Sequence, residues 1–516
     1  MLFNSSEFIL LFLPATLVGF FVLGRLSRAY ALGWLIVASL FFYAWWRPVN
    51  VLIIAPSILI NFVLARALVR VVPDRARAPL ARLLLVLGIV FNVLFLGYFK
   101  YINFVATAIN DVAGTEFVLE RVILPLGISF ITFQKIAFLI DVHAGRVKSF
   151  SLRDYCLFVL FFPQLIAGPI VHFREMMPQF HRTTARFDID DAAVGLTLFV
   201  IGLFKKVVLA DGIAERVTPV YTLAAAGAPV DLANAWLAAV GFTLQMYFDF
   251  SGYSDMALGI GRCFGIRLPP NFDSPLKARS IIDFWLRWHM TLTRFLTAYL
   301  YNPMVLALTR RRFAKGLPGL TGRQRSIGAF AQLLAGPTLI TMFVSGVWHG
   351  AGYTFLLWGL LHGAYLSINH AWRMYGPKRW TNKASYERFM GPVGYVLTFF
   401  AVSISMVLFR APTVAAALQV LHGLIGGNGV GIASPEFAQD APWILALLFV
   451  AVALPNSLEL LARWEPALGF KRHADGLPGR WLAWHPSVTW SFAIATVAVV
   501  TVMRLGGKSE FLYWQF

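Results

Sequence analysis

Two histidines follow tryptophans in strongly apolar stretches of this chain of 516 residues. His289 ends the string Arg287-Trp-His289, and His349 lies in Gly346-Val-Trp-His-Gly350. An ionisable side chain within a membrane segment is costly, so it is first treated as a functional residue. Imidazole exchanges protons near neutral pH, and a pair of imidazoles suits the attack of a hydroxyl on a thioester carbonyl. We therefore predict that His349 and His289 are catalytic.

The residues beside the two histidines are candidates for contacting substrate or lining a tunnel. Trp348 and Trp288 directly precede them, and Arg287 is placed to order a surface that faces the cytosol. The apolar periodicity predicts an amphipathic helix over 281–300, in which His289 would share a face with Trp285. The alternative for either histidine is a buried residue that forms hydrogen bonds between helices.

Two aspartates and a third histidine are weaker candidates for functional residues. Asp249 and Asp255 lie in Tyr247-Phe-Asp-Phe-Ser-Gly-Tyr-Ser-Asp255, where they could cap helices or line a polar tunnel. His362 follows on the next apolar segment, and we favour a structural role for it.

Several well-defined chemistries find no support in the sequence. There is no nucleophile elbow and no P-loop, and none of the ten histidines has an aspartate four or five residues downstream. Cys156 and Cys263 are far apart and show no metal-ligand spacing. We therefore predict no bound metal and no bound cofactor.

The composition is that of a polytopic membrane protein. The chain is 58% hydrophobic and 13% charged, whereas soluble domains contain about 45–50% apolar and about 25% charged residues. The net charge of +19 is concentrated in loops between apolar segments, where the positive-inside rule explains it, so we expect no nucleic-acid partner. The loops place 1–7 outside the cytosol and Arg25 and Arg28 inside.

The apolar segments predict an all-α fold with about 11–13 transmembrane helices. The candidate spans are 8–24, 30–46, 49–65, 83–99, 122–140, 191–209, 232–250, 329–347, 351–369, 392–409, 440–455 and 487–504. The segment 155–171 is interrupted by Pro163 and by Gly168-Pro169, which is typical of a re-entrant or discontinuous element. A polar stretch from about Asp249 to Arg325 predicts cytosolic and interfacial helices. We expect one domain over 1–516, with the catalytic motifs at about 245–370.

These motifs together resemble the membrane-bound O-acyltransferases, and within that family the bacterial members of the alginate type. The resemblance extends over nearly the whole chain and keeps the order of the motifs. It rests on Phe41-Phe-Tyr-Ala-Trp-Trp-Arg-Pro48, Gly97-Tyr-Phe-Lys-Tyr101, Leu124-Pro-Leu-Gly-Ile-Ser-Phe130, Thr132-Phe-Gln134, Asp141, Phe162-Pro-Gln-Leu-Ile-Ala-Gly-Pro-Ile170, Met246-Tyr-Phe-Asp-Phe-Ser-Gly-Tyr-Ser-Asp-Met-Ala257, Asn271-Phe-Asp-Ser-Pro275, Phe284-Trp-Leu-Arg-Trp-His289, Gly346-Val-Trp-His-Gly-Ala351, Phe409-Arg-Ala411 and Phe511-Leu-Tyr-Trp-Gln-Phe516.

The resemblance implies a fold, a reaction and a location. It implies a helical body with a central tunnel, in which His349 matches the family's essential histidine and His289 its second active-site histidine. It implies acetyl transfer from a cytosolic donor, acetyl-CoA, across the bacterial inner membrane to an exported polysaccharide, with alginate as the leading acceptor. Membrane lipid and periplasmic polysaccharide-acetylation proteins are the implied partners, and the polysaccharide receives the acetyl group directly or through them.

Other functions stay open at the level of sequence. Within the same reaction class, the acceptor could be cellulose or peptidoglycan, or the reaction could be D-alanyl transfer to teichoic acid. A polysaccharide-export transporter or a scaffold subunit belongs to a different class. A transporter would predict charged residues within spans and internal repeats, and the sequence shows little of the former and none of the latter.

Overall fold

The computed structural model describes residues 1–116, 119–120, 122–166, 168–320, 326–376, 382–431, 435–470, 482–507 and 512. Within these ranges the regular secondary structure is helical. The end of the predicted polar stretch, 321–325, and most of the aromatic tail, 511–516, lie outside the described residues. The all-α class predicted from the apolar segments is confirmed.

Each predicted span overlaps a helix in the structure, but 122–140 begins too early, because its helix starts only at Ile128. The first helices are α1 (Leu13–Leu26), α2 (Arg28–Ala44), α3 (Val49–Val71), α4 (Ala78–Ala113), α5 (Ile128–His143), α6 (Leu152–Leu160), α7 (Phe162–Leu165), α8 (Phe173–Arg182) and α9 (Ile189–Phe204). They continue with α10 (Asp211–Ala225), α11 (Leu232–Cys263), α12 (Ile281–Trp285), α13 (Met290–Leu296), α14 (Asn302–Ala314), α15 (Ile327–Phe330), α16 (Gly336–His349), α17 (Tyr353–Tyr375), α18 (Lys383–Arg410), α19 (Val414–Leu424), α20 (Pro435–Ala453), α21 (Ser457–Leu460) and α22 (Val488–Met503).

The length and surface of the helices are those of a multi-pass membrane protein. Among the described residues, six helices are long and apolar enough to cross a membrane: Phe8–Leu26, Val49–Val71, Arg75–Ala113, Ile189–Ala225, Ile327–His349 and Lys383–Arg410. Large apolar side chains on these helices are exposed, as Leu52 and Leu94 illustrate, and lipid tails would cover them. The exact number of crossings stays a prediction.

Two compact units interleave along the chain. One contains Met1–Val207, Phe250–Pro270 and Ser457–Gly507, and the other contains Val208–Asp249 and Asn271–Asn456. Helix α11 contributes its first part to the second unit and its last part to the first. The prediction of a single domain stays a prediction.

In the first unit, small and amide residues bring helices together. Asn61 on α3 and Asn92 on α4 exchange two side-chain hydrogen bonds, with N–O distances of 3.2 and 2.6 Å. Helix α9 meets the end of α11 at glycines: a Cβ on Gly202 would lie 2.5 Å from the Gly252 carbonyl oxygen, and one on Gly259 would lie 2.4 Å from that of Gly195. Such contacts let backbones approach closely in lipid, where packing replaces the hydrophobic effect.

The structure corrects two predictions about helix boundaries and confirms a third. The polar stretch does not begin at Asp249, because α11 continues to Cys263; Asp249 and Asp255 therefore lie inside a helix, and the capping interpretation is wrong. The amphipathic helix over 281–300 is also wrong, because α12 ends at Trp285 and α13 begins at Met290. The break in 155–171 is confirmed: α6 ends at Leu160, and α7 is only four residues long.

Candidate active site

His349 is the last residue of α16, and glycines bring α17 against that end of the helix. A Cβ on Gly346 would lie 2.3 Å from the Phe355 carbonyl oxygen, and one on Gly359 would lie 2.5 Å from that of Met342. A Cβ on Gly350 would lie 2.2 Å from the ring of Phe355. The glycines around His349 therefore serve helix packing, and they fix the direction in which the chain leaves the histidine.

His289 lies in the short break between α12 and α13, in a strained backbone conformation. Its φ of 43° and ψ of 51° are in the left-handed region, which costs a residue other than glycine about 1–3 kcal/mol. The backbone amide of the next residue, Met290, donates to the Asn271 carbonyl oxygen at 2.9 Å. Backbone strain at His289, which the sequence predicts to be catalytic, is consistent with a site that holds this side chain in a fixed position.

The side chain of Asn271 fixes the protonation pattern of His289. Its Oδ1 accepts hydrogen bonds from the backbone amide of Thr291 at 3.2 Å and from the Thr291 hydroxyl at 2.8 Å. Because the backbone amide of Thr291 can only donate, the atom of the Asn271 side chain that faces it must be the oxygen. The orientation of the Asn271 side-chain amide is therefore determined. The same oxygen lies 3.0 Å from Nδ1 of His289, so Nδ1 carries the proton and the lone pair is on Nε2. Burial lowers the pKa of the His289 imidazole, which keeps the ring neutral.

The two histidines meet in a buried aromatic chamber of the second unit. Their ring centroids lie 6.4 Å apart with an interplanar angle of 55°, and the residues are 0% and 4% exposed. Trp348 contacts both rings, with centroid distances of 6.0 Å to His289 and 4.9 Å to His349. Trp358 and Phe409 pack on His349 at 5.1 and 5.2 Å. The pairing of residues 60 positions apart in sequence is thus achieved by the fold.

His362 supports this chamber from one side. Its Nδ1 accepts a hydrogen bond from the Trp285 indole at 3.3 Å, and its Nε2 lies 2.8 Å from the Ser405 hydroxyl, which donates to the Val402 carbonyl oxygen. Its ring centroid is 4.7 Å from that of Trp358. The structural role that the sequence favoured for His362 agrees with this network.

Two other residues of the motif around His289 have supporting contacts. Trp288 stacks on Phe284 at 5.5 Å and meets Phe272 edge-on at 5.1 Å. Arg287 donates from Nε to Asp283 at 2.8 Å and from Nη1 to the Asp273 carbonyl oxygen at 3.3 Å. These contacts brace the loop that carries Asn271 and His289, and a substrate role for either residue stays a prediction.

The two aspartates of α11 have different surroundings. Asp249 is 1% exposed within the second unit. Asp255 belongs to the first unit, where it forms an ion pair with Lys205 at 2.6 Å and accepts a hydrogen bond from Ser457 at 2.6 Å. Lys205 begins a π-helical turn over Lys205–Ala210. These contacts support a bracing role for Asp255, and the tunnel role predicted for both aspartates stays a prediction.

Sequence reasoning did not nominate Asn271, Trp358 or Phe409. Asn271 and Phe409 stand in the strings Asn271-Phe-Asp-Ser-Pro275 and Phe409-Arg-Ala411, so the signal was present. A single sequence does not show which member of a string faces the histidines. Within the described ranges, no cluster of three or more His, Cys, Asp or Glu side chains is placed to hold a metal ion.

Comparisons with known proteins show which family the chain is similar to. A model of the membrane-bound O-acyltransferase family matches residues 84–317. The chain is 39% identical over 467 residues to a peptidoglycan O-acetyltransferase from Helicobacter pylori, covering 84% of this chain and 81% of that protein.

Two further relatives differ in how much of the chain they cover. A protein from Pseudomonas aeruginosa named "Probable alginate O-acetylase" is 36% identical over 562 aligned positions, covering 100% of both chains. A teichoic acid D-alanyltransferase from Streptococcus thermophilus is 28% identical over 296 residues, covering 55% of this chain and 68% of that protein.

Proposed function

The chain belongs to the membrane-bound O-acyltransferase family and is an O-acyltransferase, and from this premise we propose that it transfers acetyl groups to an exported polysaccharide. The donor is acetyl-CoA, taken from the cytosol. The enzyme resides in the bacterial inner membrane and delivers the acetyl group toward the periplasm through a central tunnel. The leading acceptor is alginate, reached directly or through periplasmic acetylation proteins.

The proximity of His289 to His349 is the observation that carries this proposal. Their ring centroids are 6.4 Å apart. A separation of this size leaves room for a reacting oxygen within hydrogen-bond reach, about 2.6–3.2 Å, of a nitrogen on each ring. Burial excludes competing water and strengthens the electrostatic contribution of both rings.

The reaction that follows is an acyl transfer in which atoms and charges balance. In our proposal His349 takes the proton of the acceptor hydroxyl as its oxygen attacks the thioester carbonyl. The carbon–oxygen bond forms, the carbon–sulfur bond breaks, and the proton passes to the leaving thiolate. His289, held by Asn271 with its lone pair on Nε2, orients the acceptor by accepting a hydrogen bond from a second hydroxyl of the same sugar, since the attacking hydroxyl gives its one proton to His349.

The choice of acceptor rests on the extent of similarity. Relatives named as alginate O-acetylases match 100% of the chain, with identities of 36% and 33% for the two from Pseudomonas aeruginosa and Pseudomonas putida. Peptidoglycan is the second candidate, because the relative named for it has the higher identity of 39% over 84% of the chain. D-alanyl transfer is less favoured, since the relative named for it aligns with 55%.

The transfer step is tested with the purified full chain in proteoliposomes and acetyl-labelled acetyl-CoA. We expect label to move from CoA to an added alginate oligosaccharide, and His349→Ala to abolish the transfer at equal protein abundance. His143→Ala is the matched control, because His143 lies at the end of α5 in the other unit. If the His349→Ala protein retains wild-type transfer, the catalytic assignment is wrong.

The acceptor is tested in cells. The gene is expressed in two hosts that lack their own membrane acetyltransferase, one that exports alginate and one that O-acetylates peptidoglycan. We expect the ester-linked acetate of alginate to be restored, with the periplasmic acetylation proteins of that host present. Restoration in the peptidoglycan host alone would replace alginate by the second candidate, and restoration in neither host would contradict both acceptors.

A further inference from the structure

A basic cleft lies in the first unit, outside the histidine chamber. It has a volume of about 560 Å³ and is open to solvent. One wall is the loop that follows α5, from Arg146 to Ser149, and the other is one side of α8, from Phe173 to Arg182. None of its lining residues takes part in the acyl-transfer chemistry proposed above.

One ion pair and the hydrogen bonds of a turn hold the first wall. The carboxylate of Asp141 accepts from Arg146 at 2.9 Å, and the backbone carbonyl of Asp141 accepts from the amide of Arg146 at 2.9 Å. Gly145, with φ of 69°, makes the turn between them. The loop is therefore held in one conformation before any ligand arrives.

The carboxylate of Asp154 anchors the other wall, α8, to the start of α6. Asp154 closes a capping box with Ser151 at the start of α6, and its Oδ1 lies 3.0 Å from Nε2 of His181 on α8. The guanidinium of Arg28 donates to the His181 carbonyl oxygen at the end of the same helix. Both walls are thus anchored, and the cleft is preformed.

The charge that remains in the cleft is strongly positive. The lining includes Arg146, Lys148, Arg174, His181 and Arg182 and contains no aspartate or glutamate. Asp141 and Asp154 are paired with Arg146 and His181. In the part of the chain that the structure describes, no ion pair involves Lys148, Arg174 or Arg182. Arg174 and Arg182 are exposed on the same side of α8, at positions i and i+8 with Pro178 between them.

The floor of the cleft is apolar. Val147, Phe173 and Met177 line it and are 5%, 7% and 4% exposed. The guanidinium groups lie above this floor, and their geometry matches phosphate oxygens in paired hydrogen bonds.

We propose that this cleft binds a phosphate group of a ligand, either the headgroup of an anionic phospholipid or a soluble phosphate compound. Arg174 and Arg182 hold the phosphate oxygens from α8, and Lys148 adds a point charge from the opposite wall. The cleft is a binding site separate from acetyl transfer, so its test does not depend on the proposed reaction.

The experiment uses the purified full chain in nanodiscs. Its two arms distinguish a soluble phosphate compound from the headgroup of an anionic phospholipid. In the first arm, inorganic pyrophosphate is titrated against protein in phosphatidylcholine nanodiscs, and saturable binding identifies a soluble ligand. In the second arm, nanodiscs contain phosphatidylglycerol as well, and native mass spectrometry counts the anionic lipids that stay bound. The variant is Arg174→Gln/Arg182→Gln. The matched control, Arg75→Gln/Arg82→Gln, removes the same charge from exposed arginines of the first unit.

We expect the cleft variant to weaken one of the two arms by at least about tenfold, because each lost arginine removes charge-assisted hydrogen bonds. The control should stay within about twofold of wild type, since neither Arg75 nor Arg82 lines the cleft. Lys148→Gln, an exposed loop substitution that leaves α8 intact, should weaken the same arm by about threefold. Equal weakening by cleft and control variants, or no specific binding in either arm, would overturn the proposal.

Discussion

Oδ1 of Asn271 lies 3.0 Å from Nδ1 of His289 and also accepts two hydrogen bonds from Thr291. The amide therefore sets both the ring orientation and the tautomer of a histidine whose backbone is held in the left-handed region. A hydrogen-bond partner at one ring nitrogen of a histidine decides whether the other nitrogen is available for chemistry. In the proposed reaction Asn271 is a positioning residue, because it would act on the substrate only through His289.

Substitution of Asn271 should separate positioning from packing. We expect Asn271→Leu, which removes the acceptor at similar size, to lower the acetyl-transfer rate on the order of 10²-fold. Asn271→Asp keeps an acceptor oxygen and should retain most of the rate. The measurement is kcat, together with the nitrogen NMR shifts of the His289 ring, which report its tautomer. An Asn271→Leu enzyme with normal kcat and an unchanged tautomer would contradict the assignment.

The two histidines should behave as one catalytic unit. His349→Ala is expected to abolish transfer, and His289→Ala to reduce it severely, at normal membrane abundance. Residues that act together are not additive, so the double variant should be no slower than His349→Ala alone. The rates are measured in proteoliposomes, with His143→Ala as control. If the losses multiply, the histidines contribute independently and the chamber is not one site.

The glycine at the crossing of α16 and α17 should be intolerant of a methyl group. A Cβ on Gly346 would lie 2.3 Å from a backbone oxygen that has no flexible side chain to yield. We expect Gly346→Ala to lower the free energy of unfolding by about 1–3 kcal/mol and to reduce transfer. The helical control is Gly33→Ala, where no atom lies within 4 Å and alanine is expected to be neutral or stabilising. Thermal unfolding in detergent distinguishes the two, and an unchanged midpoint for Gly346→Ala would show that the helices are able to separate.

The ion pair of Asp255 with Lys205 should matter for stability. Breaking a buried pair by removing one partner costs about 3–5 kcal/mol, so Asp255→Asn should lower the unfolding temperature. Lys205→Met combined with Asp255→Asn removes the uncompensated charge and should recover part of the loss. Unfolding temperature and transfer rate are measured on the same preparations. An Asp255→Asn enzyme with normal stability and lost activity would instead show that the carboxylate acts on substrate.

The helix pattern of this protein follows largely from local sequence. Apolar stretches of sufficient length predict helices, since a backbone in lipid must satisfy its own hydrogen bonds, and each predicted span overlaps a helix, although 122–127 precede the helix of their span. The break near Pro163 was predicted for the same local reason. The boundary at Asp249 was wrong, because polar residues can continue a helix when they are buried against neighbours such as those of Asp255.

The sequence by itself determined the chemistry of the candidate site: two imidazoles in apolar surroundings and a family resemblance carried by short strings. Only the tertiary structure brought His289 and His349 to 6.4 Å and gave Asn271 its role, because these contacts join segments that are distant along the chain. It also gave bracing contacts to Arg287 and Asp255, whose charges are partly or wholly compensated by partners. The reason is physical: composition fixes what must be buried, while the crossing of particular helices at particular glycines fixes what is buried together.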